Sequence, residues 1–87
     1  MRIEVGPDWA VKSDRHGYAL ERRRVSKEGV ERWDNEGYYA RLATAYEALL
    51  RRDVRQSDAE GVAAVLARME QVERWIAVSL RARWESR

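Results

Sequence analysis

Arg41-Leu42-Ala43-Thr44-Ala45-Tyr46-Glu47-Ala48-Leu49-Leu50-Arg51-Arg52-Asp53-Val54 decides the fold class. Leu42, Ala45, Tyr46, Leu49, Leu50 and Val54 recur at i, i+3, i+4 and i+7. That spacing lines one stripe of a short amphipathic helix over about residues 41–53. Asp53 to Gln56 is expected to break it. Ser57 then stands three residues before Glu60 as a capping box, with Asp58 in the first turn to complement the helix dipole. A second stripe follows through Val62, Leu66, Met69, Val72, Ile76 and Leu80, so a long helix is expected from Asp58 to about Trp84. At 1.5 Å per residue it would span roughly 40 Å, whereas a compact chain of this length is about 30 Å across. The end of that helix is expected to overhang the body.

Upstream of Tyr39 the pattern changes. Residues 1–39 hold four of the five glycines and the single proline, and the apolar period falls to two. Ile3 and Val5 alternate with charges before a Gly6-Pro7-Asp8 turn, and Trp9, Val11 and Ser13 alternate after it. Asp14-Arg15-His16-Gly17 reads as a hairpin loop. Tyr18 to Val25 reads as a strand and Ser26-Lys27-Glu28-Gly29 as the next turn. A third main strand starts at Val30, Arg32 and Trp33, is interrupted by Asp34-Asn35-Glu36-Gly37, and resumes at Tyr38-Tyr39. The expected fold is α+β: a small antiparallel β-meander of about three strands, followed by a short and a long α-helix. Residues 1–87 form one domain in this reading, with a β-rich half over 1–39 and a helical half over 40–87. The core should draw on Trp9, Val11, Leu20, Leu42, Tyr46, Leu49, Leu50, Val62, Leu66, Met69, Val72 and Ile76.

Composition narrows the function. The chain has 87 residues, no cysteine and one histidine, which excludes disulfides and argues against structural zinc. No apolar run approaches the roughly 20 residues that span a membrane. The first residues lack a signal-peptide pattern, so a cytoplasmic protein is expected. Lys+Arg is 17 against Asp+Glu 15, a net charge of only +2. Lys12 and Lys27 are the only lysines, and this arginine bias lifts the pI to about 9.3. A surface of mixed sign is not the strong positive field of a general nucleic-acid binder.

Several segments resemble a family of small phage and prophage proteins with no assigned function. They are Lys12-Ser13-Asp14, Tyr18-Ala19-Leu20-Glu21-Arg22, Gly37-Tyr38-Tyr39, Leu49-Leu50-Arg51-Arg52 and Arg55-Gln56-Ser57-Asp58-Ala59, in that order. The resemblance spans about residues 3–76. Ala40-Arg41 stands where that family's pattern has a Pro-Thr pair, which weakens the cap of the first helix. The resemblance implies action inside a bacterial host cell and supplies no catalytic residues.

No constellation demands catalysis. Ser13, Asp14 and His16 share one hairpin turn, where Ser and Asp ordinarily bond the backbone, whereas triads draw on separate parts of a fold. Asp34, Glu36, Asp53 and Asp58 do not match a calcium loop. No phosphate-cradling glycine motif occurs. A non-enzymatic protein without cofactor or metal is therefore expected, acting on a host or phage protein. Inhibition of a bacterial defence nuclease, an anti-CRISPR-like role, is one concrete form. Trp75, Arg81 and Trp84 are its expected anchors, because the two tryptophans lie off the second stripe and Trp and Arg favour interfaces. Glu28, Glu31, Asp34 and Glu36 form the dense acidic stretch that a basic partner would meet. The overhanging helix equally allows a homodimer. The alternative is an accessory protein binding DNA or RNA through Arg22, Arg23, Arg24, Arg51 and Arg52 with Trp33 or Tyr39. Its simpler counterpart is a solvated sheet face on which these arginines pair with Glu21, Glu31 and Glu36.

Overall fold

The computed structural model describes the backbone of residues 1–85 and the side chains as far as Arg81. Four strands and two helices follow in order: β1 (Arg2–Val5), β2 (Trp9–Asp14), β3 (Gly17–Val25), β4 (Glu31–Tyr39), α1 (Leu42–Gln56) and α2 (Val62–Glu85). The strands form one antiparallel meander in the order β1-β2-β3-β4. The α+β class stands, with four strands rather than about three. The additional strand is the short Ile3–Val5 segment, which pairs Ile3 with Val11 and Val5 with Trp9 across the first turn. Gly6 makes that turn at φ +61, a conformation that costs other residues steric strain.

Register places Ile3, Val5, Trp9, Val11 and Leu20 on one face of the sheet. These side chains and Ala45, Tyr46, Ala48, Leu49 and Val72 form the buried core. α1 lies over β3 and β4, and α2 packs against β1 and α1. The interruption expected at Asp34-Asn35-Glu36-Gly37 is a bulge within a continuous strand. Leu20 pairs with Gly37 and Glu21 with Asn35, which leaves Glu36 as the extra residue. Asn35 stabilises the kink by accepting the Gly37 N–H at 2.9 Å. The Tyr39 ring then lies along Gly37, where an added Cβ would sit 2.6 Å from the Tyr39 hydroxyl.

Both helix boundaries depart from expectation. α1 starts at Leu42, with Arg41 before it supplying no side-chain cap, and runs through Asp53 to Gln56. Asp53 does not break it because the carboxylate finds buried partners on other elements. Ser57 does not open α2. It closes α1, its hydroxyl donating to the Val54 carbonyl at 2.8 Å. α2 starts after Gly61, whose carbonyl accepts the Val65 N–H at 3.0 Å. Its 24 residues measure about 36 Å, close to the longest extent of the molecule, 40 Å.

The buried line of α2 is also rotated from the expected stripe. Val65, Met69, Val72, Trp75, Ile76 and Ser79 turn inward. Val62, Leu66 and Leu80 stay 78%, 53% and 39% exposed, so these expected core positions are surface. The rotation follows from Trp75, which packs against Gly6 in the first turn. A large ring seated there pulls the inward face toward the Trp75 side of the helix.

A buried ion pair ties the layers together. Asp53 of α1 accepts the Trp9 indole N–H of β2 at 2.9 Å. It also accepts two hydrogen bonds from the Arg68 guanidinium of α2, at 2.6 and 3.0 Å. The same guanidinium lies over the Trp75 ring, 4.9 Å from its centroid. Asp53 holds the Arg68 guanidinium in its charged form, raising its pKa above the usual arginine value.

Candidate functional site

The two dense charge runs of the β-rich half face each other across β3 and β4. Arg23 pairs with Glu31 at 3.5 Å and with Asp8 at 3.2 Å. Arg24 meets Asp34 at 3.7 Å and Glu36 at 3.4 Å, and Arg32 meets Asp34 at 3.0 Å. Strand pairing therefore neutralises most of both runs locally. Glu28 lies exposed in the β3–β4 turn. Arg22 leans the other way. Its guanidinium stacks on Trp9, 5.1 Å from the ring centroid, and its Nη1 is buried with no hydrogen-bond partner among the described residues.

Trp33 lies on the face of the sheet opposite the helices. Arg2 reaches across β2, donates to Glu21 at 2.6 Å and caps the Trp33 ring at 4.4 Å from its centroid. Its path crosses Ala10, a small and fully buried residue paired with Glu21. The indole face is therefore covered by the chain's own guanidinium. Toward the other end of β3, the Asp14 carboxylate accepts the His16 and Gly17 backbone N–H groups at 2.6 and 3.1 Å and the Tyr38 hydroxyl at 2.6 Å. The Tyr38 hydroxyl and then the His16 N–H hold Asp14 below the usual carboxylate range. Asp14 in turn pushes the Tyr38 phenol up. This cluster staples a turn. The Ser13 hydroxyl donates to the Met1 carbonyl at 3.5 Å, away from His16.

Two concave surfaces flank α1. The first is an apolar groove of about 370 Å³ between the helices, lined by Glu47, Leu50, Arg51, Val54 and Met69. The exposed Val62 and Leu66 of α2 stand on the same flank of that helix as Met69, since 62, 66 and 69 follow helical spacing. Leu80 lies further along α2, beyond Glu73. The second is a polar pocket of about 300 Å³ lined by Tyr39, Ala48, Arg51, Arg52 and Arg55. Ala48, Arg51, Arg52 and Arg55 share one helix face. Ala48 stops at one methyl, so the longer side chains surround a depression. Glu36 approaches Arg52 at 3.8 Å and also binds Arg24. Among the described residues, Arg51 and Arg55 have no carboxylate partner.

The structure thus brings Arg51, Arg52 and Tyr39 to one pocket and separates them from Arg22, Arg23 and Trp33. Arg55 joins them because α1 continues through the expected break to Gln56, which sets Arg55 one turn beyond Arg51. Trp75 is half-buried against the core, because the inward face of α2 is turned toward it. Arg81 is exposed on α2. Trp84 lies outside the residues whose side chains are described.

No group of three or more His, Asp or Glu residues could share a metal ion among the described residues. No helix among them is long and apolar enough to cross a membrane. No protein-family model, curated protein or solved structure matches the chain.

Proposed function

We propose that the chain is a non-enzymatic interaction module of phage type that binds a protein partner along the outer flank of α1 and α2. The exposed Val62 and Leu66 beside the groove of Leu50, Val54 and Met69 carry this reading, with Leu80 further along α2 beyond Glu73. An apolar row at helical spacing next to an apolar groove suits the apolar face of a partner's amphipathic helix. Glu47 and Arg51 at the rim offer one charge of each sign to fix its direction. The segment resemblance supports a host or phage protein as partner, and inhibition of a bacterial defence nuclease is the concrete form proposed. The acidic stretch contributes less than its sequence density suggests, since Glu31, Asp34 and Glu36 already hold arginines.

Capture from bacterial lysate with the native chain and with Leu66→Glu tests the reading. Leu66 is exposed, so the variant keeps its circular dichroism. A partner retained by the native chain and lost by the variant is the expected result. Equal capture by both, or none, overturns it. Mass in solution is read alongside: a dimer abolished by Leu66→Glu reassigns the flank to a second copy of the chain. Nucleic-acid binding spread over Arg22, Arg23 and Trp33 has less support, because those groups are engaged within the sheet. The pocket holding Arg51, Arg52 and Tyr39 remains.

A further inference from the structure

We infer that the pocket lined by Tyr39, Ala48, Arg51, Arg52 and Arg55 is a binding site for a phosphate group. Arg51 also lines the rim of the apolar groove, whereas Arg55 lines this pocket alone of the two, so Arg55→Gln separates this site from the flank. Three guanidinium groups line a single depression of about 300 Å³ whose lining holds no carboxylate among the described residues. The nearest carboxylate, Glu36, contacts Arg52 at 3.8 Å while also holding Arg24. It therefore tethers Arg52 at the rim without neutralising the site. Arg51 and Arg55 are left with their donors directed to solvent or to a ligand.

The chemistry of the donors selects the ligand. A guanidinium offers planar, paired N–H donors that match two oxygens of a phosphate, and it stays charged at all working pH. Tyr39 adds its aromatic side chain to the lining, with the hydroxyl end lying beside Gly37. A carboxylate presents too few oxygens for three arginines, whereas a phosphate presents enough for all of them.

The simpler role for these arginines is to complement the negative carboxyl end of α1. Arg55 alone occupies the last turn and suffices for that. The same dipole opposes an anion, but its effect is screened within one turn and is smaller than one bidentate charge-assisted hydrogen bond.

Phosphate of this kind comes from a small phosphorylated compound or from a nucleic-acid backbone, and two probes separate them. The first is pyrophosphate and the second a single-stranded oligothymidylate of about twelve nucleotides, matching the footprint of small single-strand binders. Each is titrated calorimetrically at low salt into the native chain and into Arg51→Gln, Arg55→Gln and the control Arg74→Gln. All three side chains are exposed, so the variants retain the fold. Saturable pyrophosphate binding, weakened about tenfold by Arg51→Gln or Arg55→Gln and unchanged in Arg74→Gln, is the expected result. If the oligonucleotide also binds, with a logarithmic salt slope of about −0.7 for the one phosphate held, which the same variants reduce, the phosphate is that of a nucleic-acid strand. If pyrophosphate alone binds, the ligand is a small phosphorylated compound. Absence of saturable binding for both probes overturns the inference, as does equal weakening by Arg74→Gln.

Discussion

Replacing Arg68 by Met tests the link between the three packed elements. The substitution keeps an apolar stem that can lie against Trp75 and removes the charge. Asp53, only 5% exposed, then retains a single donor, the Trp9 indole N–H at 2.9 Å. Breaking a buried pair from one side costs about 3–5 kcal/mol. Arg68 retains 29% of its side-chain exposure, which lets water reach the carboxylate and favours the lower end, about 3 kcal/mol. On a chain of this size that is a large share of a stability of about 4–13 kcal/mol. The midpoint of thermal unfolding should fall by roughly 12–24 °C. Adding Asp53→Asn removes the stranded charge while keeping an acceptor for Trp9, so the double variant should recover more than about 1 kcal/mol relative to additivity. Urea unfolding followed by tryptophan fluorescence and circular dichroism reads both numbers, with matching slopes confirming that the denatured state is unchanged. A cost below about 1 kcal/mol for Arg68→Met, or strict additivity in the double variant, refutes the reasoning.

Gly6→Ala should destabilise by more than about 1 kcal/mol. It strains a turn at φ +61 and sets a methyl 2.7 Å from the Trp75 ring, a loss that chemical denaturation measures. Leu66→Glu should change stability by less than about 0.5 kcal/mol in the same assay, because the side chain is exposed. The turn staple predicts a pH dependence. Asp14 is depressed in the folded state, so its contribution is present above the ordinary carboxylate pKa and is lost as pH falls through its folded value. Tyr38 is raised, so its contribution is complete below the ordinary phenol pKa of 10.0 and is lost as pH rises through its folded value. Tyr38→Phe should return the Asp14 titration toward 3.8, read by carboxyl-carbon NMR. An unchanged Asp14 titration would show that the backbone N–H groups alone set it.

Periodicity revealed the order of elements because it depends only on neighbours along the chain. The period-two run before Tyr39 and the Leu42–Val54 stripe both became the elements they suggested. What escaped depends on distant partners. Asp53 looked like a helix breaker because its stabilising contacts come from Trp9 and Arg68, far away in sequence. Glu36 looked like part of a turn because a bulge is defined only by the facing strand. The face of α2 was misjudged for the same reason: Val62 and Leu66 satisfy a helical stripe, but the seating of Trp75 against Gly6 decides which stripe turns inward. At the surface, the pairing of arginines with Glu31 and Glu36 across strands was the simpler expectation, and the register of β3 and β4 realises it in Arg23–Glu31 and Arg24–Glu36. The arginine pocket was half legible. Arg51 and Arg52 stood out in the sequence together with Tyr39, whereas Arg55 lay in the expected break and shares their face only because α1 continues to Gln56.

The seating of Trp75 against Gly6 bears on how the chain reaches its native state. The first hairpin can form early because Val5 and Trp9 are close in sequence. Its inward face becomes fully covered only when α2 arrives from the far side of the chain. Long-range closure of this kind slows folding relative to a helical bundle of equal length. Until it happens, Val5 and the edge strand β1 remain open to other chains, the circumstance in which strands aggregate. Variants that weaken the α2 contact with the first turn should therefore reduce refolding yield at high protein concentration more than they reduce equilibrium stability.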